Sequence, residues 1–255
     1  MSDNVVMAVH GGIATITLNR PRVRNAIDKA TADDLAQAVD DVDSRDDVVA
    51  VVLTGAGSTF CAGMDLKAFS ATGERPIHDE RGAFGFVRKP PEKPVVAAVE
   101  GSALGGGLEL ALACDLIVVS RSTRLGLPEV KRGLVAAAGG VLRLPRRVPP
   151  ALAMEMVLTG EPITAEQALA AGLVNRVVED GTVLAAALRM ASTIALNAPL
   201  AVRAAKRVVV ESPDWSMDEA FDRQARYVDA VRSSQDAVEG ARAFAEKRAP
   251  QWSGA

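Results

Sequence analysis

Two glutamates in this chain have the type and placement to pass protons: Glu109 and Glu129, 129 − 109 = 20 residues apart. Each falls at an expected helix start. Glu109 comes directly after Gly105-Gly106-Gly107-Leu108, and Glu129 follows Pro128, a residue suited to the first helical position. Carboxyl groups held in different surroundings can act as an acid and a base. The same placement equally suits carboxylates that only offset a helix dipole, and spacing alone leaves both readings open. Two glycine-bearing turns accompany the pair. Phe60-Cys61-Ala62-Gly63-Met64-Asp65-Leu66-Lys67 comes just after an expected strand, and Gly105 to Gly107 come just before a helix. Glycine lets the backbone approach a ligand closely, and the free N–H groups of a helix start favour an oxygen carrying negative charge. Two such donors converging on one oxygen would make an oxyanion hole.

Other chemistries find less support. Gly55-Ala56-Gly57-Ser58-Thr59-Phe60 begins like a dinucleotide fingerprint, but Phe60 occupies the third small position and no helix pattern follows directly. There is no G-x-S-x-G elbow and no phosphate loop ending in Gly-Lys-Ser/Thr. His10 sits beside an expected turn and His78 in an irregular stretch, which argues against a histidine triad or zinc site. Cys61 and Cys114 have no metal-ligand spacing, and Cys61 reads as a small buried thiol. A net charge of −3 argues against a nucleic-acid partner. The longest apolar stretch, residues 108 to 119, is interrupted by Glu109, Cys114 and Asp115, so no membrane span is expected. The opening residues lack a charged n-region and an apolar h-region, and the two cysteines form no disulfide framework, so the expected setting is cytoplasmic.

The elements that would position these groups follow from periodicity. Residues 4 to 19 alternate around Gly11-Gly12 and predict a β-hairpin. Thr31 with Asp34 three residues on predicts a helix start, carrying Leu35, Ala38, Val39 and Val42 on one face. Val48 to Leu53, Pro94 to Val99 and Leu116 to Val119 read as buried strands. Residues 71 to 92 show no clear period, contain Gly73, Pro76, Gly82, Gly85 and Pro90-Pro91, and read as a long mobile loop bordering a site. The second half is helical: Thr164 with Gln167 and Ser216 with Glu219 match the capping-box spacing, and Met217, Phe221, Val228 and Val231 line one apolar stripe. The 255 residues, 49% hydrophobic and 24% charged, thus predict an α/β body, residues 1 to 195, with a helical region over 196 to 255.

Taken together, five segments resemble the crotonase, or enoyl-CoA hydratase/isomerase, family. They are Asn19-Arg20-Pro21 with Arg24-Asn25-Ala26, the Phe60 to Lys67 turn, Ala103 to Leu110, Leu127-Pro128-Glu129, and Ala165 to Asn175. The resemblance implies a spiral of ββα units with a helical trimerisation region, a homotrimer or dimer of trimers, an acyl-CoA thioester substrate, and no metal or redox cofactor. It assigns the oxyanion-hole N–H groups to Met64 and Gly106, water activation to Glu109 and proton delivery to Glu129. Arg24, Ala26, Ala62, Met64, Asp65, Leu66, Lys67 and Gly106 match CoA and substrate contacts, and Phe244 and Lys247 match a tail that reaches a neighbouring subunit's CoA. Possession of both glutamates favours an enoyl-CoA hydratase; a carnitinyl-CoA dehydratase-like enzyme on a polar or branched acyl chain is the first alternative, and an enoyl-CoA isomerase or a non-catalytic acyl-CoA binder the second. From its helix start Glu109 is expected to stay ionised, with Glu129 in the more apolar setting. One departure stands out. Ala136-Ala137 replace the family's Pro-Gly before Ala138-Gly139-Gly140, at a place where the glycine N–H helps to position water.

Overall fold

The Gly11-Gly12 turn closes a hairpin in the computed structural model, which describes residues 3–255. Strands β1 (Val5–His10) and β2 (Ile13–Leu18) pair antiparallel, Val5 opposite Leu18. Helix α1 (Lys29–Ser44) buries Leu35, Ala38, Val39 and Val42, as the spacing requires, but it begins before Thr31. Its cap is Asp28, which accepts from the Thr31 N–H at 2.9 Å and from the Thr31 hydroxyl at 2.7 Å. Thr31 is therefore a donor inside the first turn, where such a cap stabilises the helix by about 1 kcal/mol.

The chain then repeats one pattern. Strand β3 (Ala50–Gly55) runs to the Cys61–Ala103 bridge and helix α2 (Leu66–Thr72). After the short pair β4 (Ile77–His78) and β5 (Gly82–Ala83) come β6 (Val95–Val99), β7 (Ser102–Leu104) and α3 (Gly106–Ala113). A third round adds β8 (Leu116–Ser120), β9 (Arg124–Gly126) and a 3-10 turn over Pro128–Arg132. These are the ββα units of the crotonase fold. Next come α4 (Gly140–Arg143), α5 (Pro150–Thr159), β10 (Ile163–Thr164), α6 (Ala165–Ala170) and β11 (Arg176–Val178). The Thr164–Gln167 capping box forms in full at the start of α6.

The main sheet has the order β1-β2-β3-β6-β8-β11 and is parallel from β2 onward. Both faces of its central strands β3 and β6 are covered, so these strands are nearly continuous apolar runs. Alternation sorts their side chains: Val51, Leu53, Val95, Ala97 and Val99 face the larger core, while Ala50, Val52, Val96 and Ala98 face α7 (Val183–Ala195). The second sheet, β10-β9-β7, sets β7 and β9 parallel with Leu104 beside Gly126.

Residues 71 to 92 are not a mobile loop. The β4-β5 pair docks on α1, Phe84, Phe86 and Val87 are buried, and the buried Arg81 guanidinium bonds Asp40, Asp43 and the Lys89 carbonyl. No periodicity signals this, because the segment's own β4-β5 ladder pairs only Ile77 with Ala83 and His78 with Gly82, and long-range contacts hold the rest. Beyond α7 the chain bends by 109° into α8 (Pro199–Glu211), followed by α9 (Met217–Arg232) and α10 (Gln235–Glu246). Ser216 takes the cap position of α9, but its side chain makes no capping bond, and Glu219 pairs with Arg223 instead. Of the expected stripe, Val228 and Val231 are half-buried, whereas Met217 and Phe221 stay exposed, as do Val209 and Val210 of α8. Among the described residues no single helix is long and apolar enough to cross a membrane.

Candidate active site

Parallel pairing brings three turns to one edge of the second sheet. Cys61 bridges Ala103 in parallel, and β7 in turn lies parallel to β9. The residues that follow each strand or bridge therefore emerge side by side: Gly63-Met64, Gly105-Gly106, and Leu127 to Glu129. The approach is close enough that a Cβ on Gly63 would stand 2.8 Å from the Gly106 nitrogen, and one on Gly105 would stand 3.1 Å from Glu129 Oε1.

Two peptide N–H groups are left over at this edge. Met64 bridges Ile27, but the ladder bonds run from Ile27 N–H to the Gly63 carbonyl and from Asp65 N–H to the Ile27 carbonyl, so the N–H of Met64 itself faces away from that partner. Gly106 is the first residue of α3, one of the four positions whose N–H has no acceptor within the helix. Among the described residues no hydrogen bond uses either group. A Cβ on Gly106 would overlap the ring of Phe84, so only glycine lets that ring lie against the amide.

Glu109 sits on the first turn of α3, a helix whose residues are all buried, and is only 3% exposed. Its Oε1 accepts the Gly140 N–H at 2.8 Å. Burial pushes its carboxyl up to about 7; the neighbouring Glu129 adds to the rise, while the Gly140 and Ala138 amides and the Arg143 guanidinium oppose it. The Glu129 carboxyl is also raised, chiefly by burial, and its Oε2 is buried with no partner. The expected contrast between the two acids is thus reversed. Glu109 is the more deeply enclosed, and desolvation outweighs what a helix start and two amides contribute.

The remaining predicted residues divide into two groups. Arg24 to Ile27 and Ala62 to Asp65 form one hydrogen-bonded unit, with the Ala62 N–H donating to the Arg24 carbonyl at 3.0 Å. Asp65 caps α2 and pairs with Arg20 at 3.2 Å, which holds Leu66 and Lys67 at a helix start with their side chains exposed. Ala26 is buried and the Arg24 side chain is exposed. Phe244 and Lys247 do not join this cluster. Phe244 is 87% exposed on α10, which packs on α9.

Four contributors to the site were not foreseen: the amides of Ala138 and Gly140, and the side chains of Phe84 and Arg143. Ala137 does not address Glu109, since its N–H closes a tight turn onto the Val135 carbonyl at 2.7 Å; the amides that reach the carboxylate are those of Ala138 and Gly140. Phe84 and Arg143 also enter through long-range contacts, and only the flanking Gly82 and Gly85 hint at the unusual backbone of Phe84, whose φ is 59°.

The family profile described as Enoyl-CoA hydratase/isomerase matches residues 8–255. Carnitinyl-CoA dehydratases of Proteus mirabilis and Salmonella arizonae are 42% and 44% identical to this chain, each comparison covering both proteins over their full length. The crystal structure of an enoyl-CoA hydratase from Mycobacterium marinum superposes with a TM-score of 0.97 at 50% identity, and that of a carnitinyl-CoA hydratase from Mycobacterium avium with 0.79 at 46%; each covers both chains completely. With its ββα units and its matched sequence, the chain belongs to the enoyl-CoA hydratase/isomerase family.

Proposed function

We propose that the chain adds water across the 2,3 double bond of a 2-enoyl-CoA thioester, and removes it in reverse. The supporting observation is the meeting, at one sheet edge, of two enclosed carboxyls and two free peptide N–H groups. The Met64 and Gly106 N–H groups hold the thioester oxygen, which draws charge out of the alkene. Glu109 takes a proton from water as the water oxygen bonds to C3. The displaced electron pair passes to the thioester oxygen as an enolate, and the two amides stabilise it. Glu129 then donates its proton to C2. The cycle is redox-neutral and needs neither a metal nor a redox cofactor. Glu109 ends protonated and Glu129 ionised, and exchange with solvent restores both. Burial raises both carboxyls and so favours a pair that holds a proton, while the Gly140 and Ala138 amides and Arg143 favour the ionised form of Glu109 that the step requires. The Arg24 to Ile27 and Ala62 to Lys67 unit is the proposed seat of the CoA moiety.

A second reading is dehydration of a 3-hydroxyacyl thioester with a polar or branched chain, favoured by the names of the full-length relatives above. Turnover of crotonyl, longer enoyl and crotonobetainyl thioesters, followed by enoyl-thioester absorbance, separates the two. In whichever thioester is turned over, Glu129→Gln is expected to lose at least ~100-fold in kcat, the general scale for removing an acid or base. Binding of every thioester without turnover would instead identify a non-catalytic acyl-CoA binder.

The apolar side chains left open on α8 and α9 support assembly into trimers or dimers of trimers. Sedimentation equilibrium is expected to give a trimer or hexamer mass, and a monomer at micromolar concentration would rule that assembly out.

A further inference from the structure

Arg143, the last residue of α4, makes contacts that its position on the surface of a short helix does not require. Its Nη2 donates to the Val87 carbonyl at 2.6 Å, across 56 residues of chain. Its Nη1 lies directly over Gly139, where a Cβ would collide with it, and Gly139 holds a φ of 102°. The guanidinium therefore ties the turn that carries the Gly140 N–H to the segment that carries Phe84. We propose that Arg143 is a positioning residue for Glu109: it fixes the Gly139-Gly140 turn so that the Gly140 N–H stays on Glu109 Oε1, and it keeps a positive charge facing that carboxylate.

The inference rests on the reading of Glu109 as the base, and it explains how an enclosed carboxylate is kept within reach of ionisation. The groups facing Glu109 are Glu129, which opposes ionisation, and the amides of Gly140 and Ala138 together with Arg143, which favour it. Burial is the main influence against the charge of Arg143, Arg147 and Arg146 add to it, and Glu109 favours the charge, while the neighbouring Cys114 is a neutral thiol. A guanidinium stays protonated throughout. Arg143 supplies a positive charge among the groups that act on Glu109.

Two variants separate charge from packing. Arg143→Gln keeps a side-chain donor and removes the charge; Arg143→Lys keeps both the charge and a donor for the Val87 carbonyl. The Glu109 titration is read by carbon NMR of protein labelled at the glutamate carboxyl, its resonance assigned by loss in Glu109→Gln, and the acid limb of kcat/KM is read in parallel. Removing the cation raises the carboxyl further, so Arg143→Gln is expected to move both midpoints up by about one pH unit. Arg143→Lys is expected to leave them near those of the wild type. An unmoved Glu109 titration in Arg143→Gln, or the same displacement in both variants, overturns the proposal. A moved NMR titration while Glu109→Gln still turns over substrate would uphold the positioning role and instead sink the assignment of Glu109 as base.

Discussion

Glu109→Gln is expected to cut turnover at least ~100-fold while making the fold more stable above neutral pH. The two effects share one cause. Enclosure in α3 raises the carboxyl from 4.5 to about 7, so the folded state favours the neutral acid. The stability this contributes is complete below the unfolded value near 4.5 and is lost as pH rises through about 7, where folding must bury a charge. Glutamine is neutral at every pH, and its side-chain oxygen can still accept from the Gly140 N–H. Chemical denaturation should show the variant more stable by roughly 1–3 kcal/mol at pH 8, with little difference at pH 4. A gain that did not depend on pH would mean that the charge is not the cause. Near-wild-type turnover would remove Glu109 from the mechanism altogether.

Gly106→Ala is the second large effect. Alanine is the better helix former, so at an unencumbered helix start it would be neutral or stabilising. Here its Cβ overlaps the Phe84 ring, and either the ring or the first turn of α3 must move. Movement of the turn swings the Gly106 N–H off the position of the developing oxyanion, a loss with a general scale of ~100-fold or more in kcat. Circular dichroism should still report a folded chain, because the rest of α3 stays buried in the core. Full activity in a folded variant would mean that the Phe84 ring, and not the first turn of α3, gives way.

Much of this architecture is legible one segment at a time. The buried strands announce themselves as β-branched and alanine-rich runs, and the hairpin through its glycine pair, because a strand's side-chain period is a local property. The Thr164–Gln167 capping box likewise involves one turn only, and it forms. Where two local signals compete, sequence reading errs. Thr31 and Asp28 both have cap chemistry, and the aspartate wins because it accepts from both the amide and the hydroxyl of Thr31. At Ser216 the capping spacing is present, but Glu219 is drawn to Arg223 instead.

The residue types at the site, two glutamates and two glycine-bearing turns, were written in the chain together with the strands that carry them. Only the tertiary structure decided that the three turns share one sheet edge, that Phe84 lies on Gly106 and that Arg143 faces Glu109. It also decided which acid is the more perturbed. Desolvation depends on everything that surrounds a carboxyl, whatever its distance along the chain, and so no local pattern around Glu109 or Glu129 could rank them.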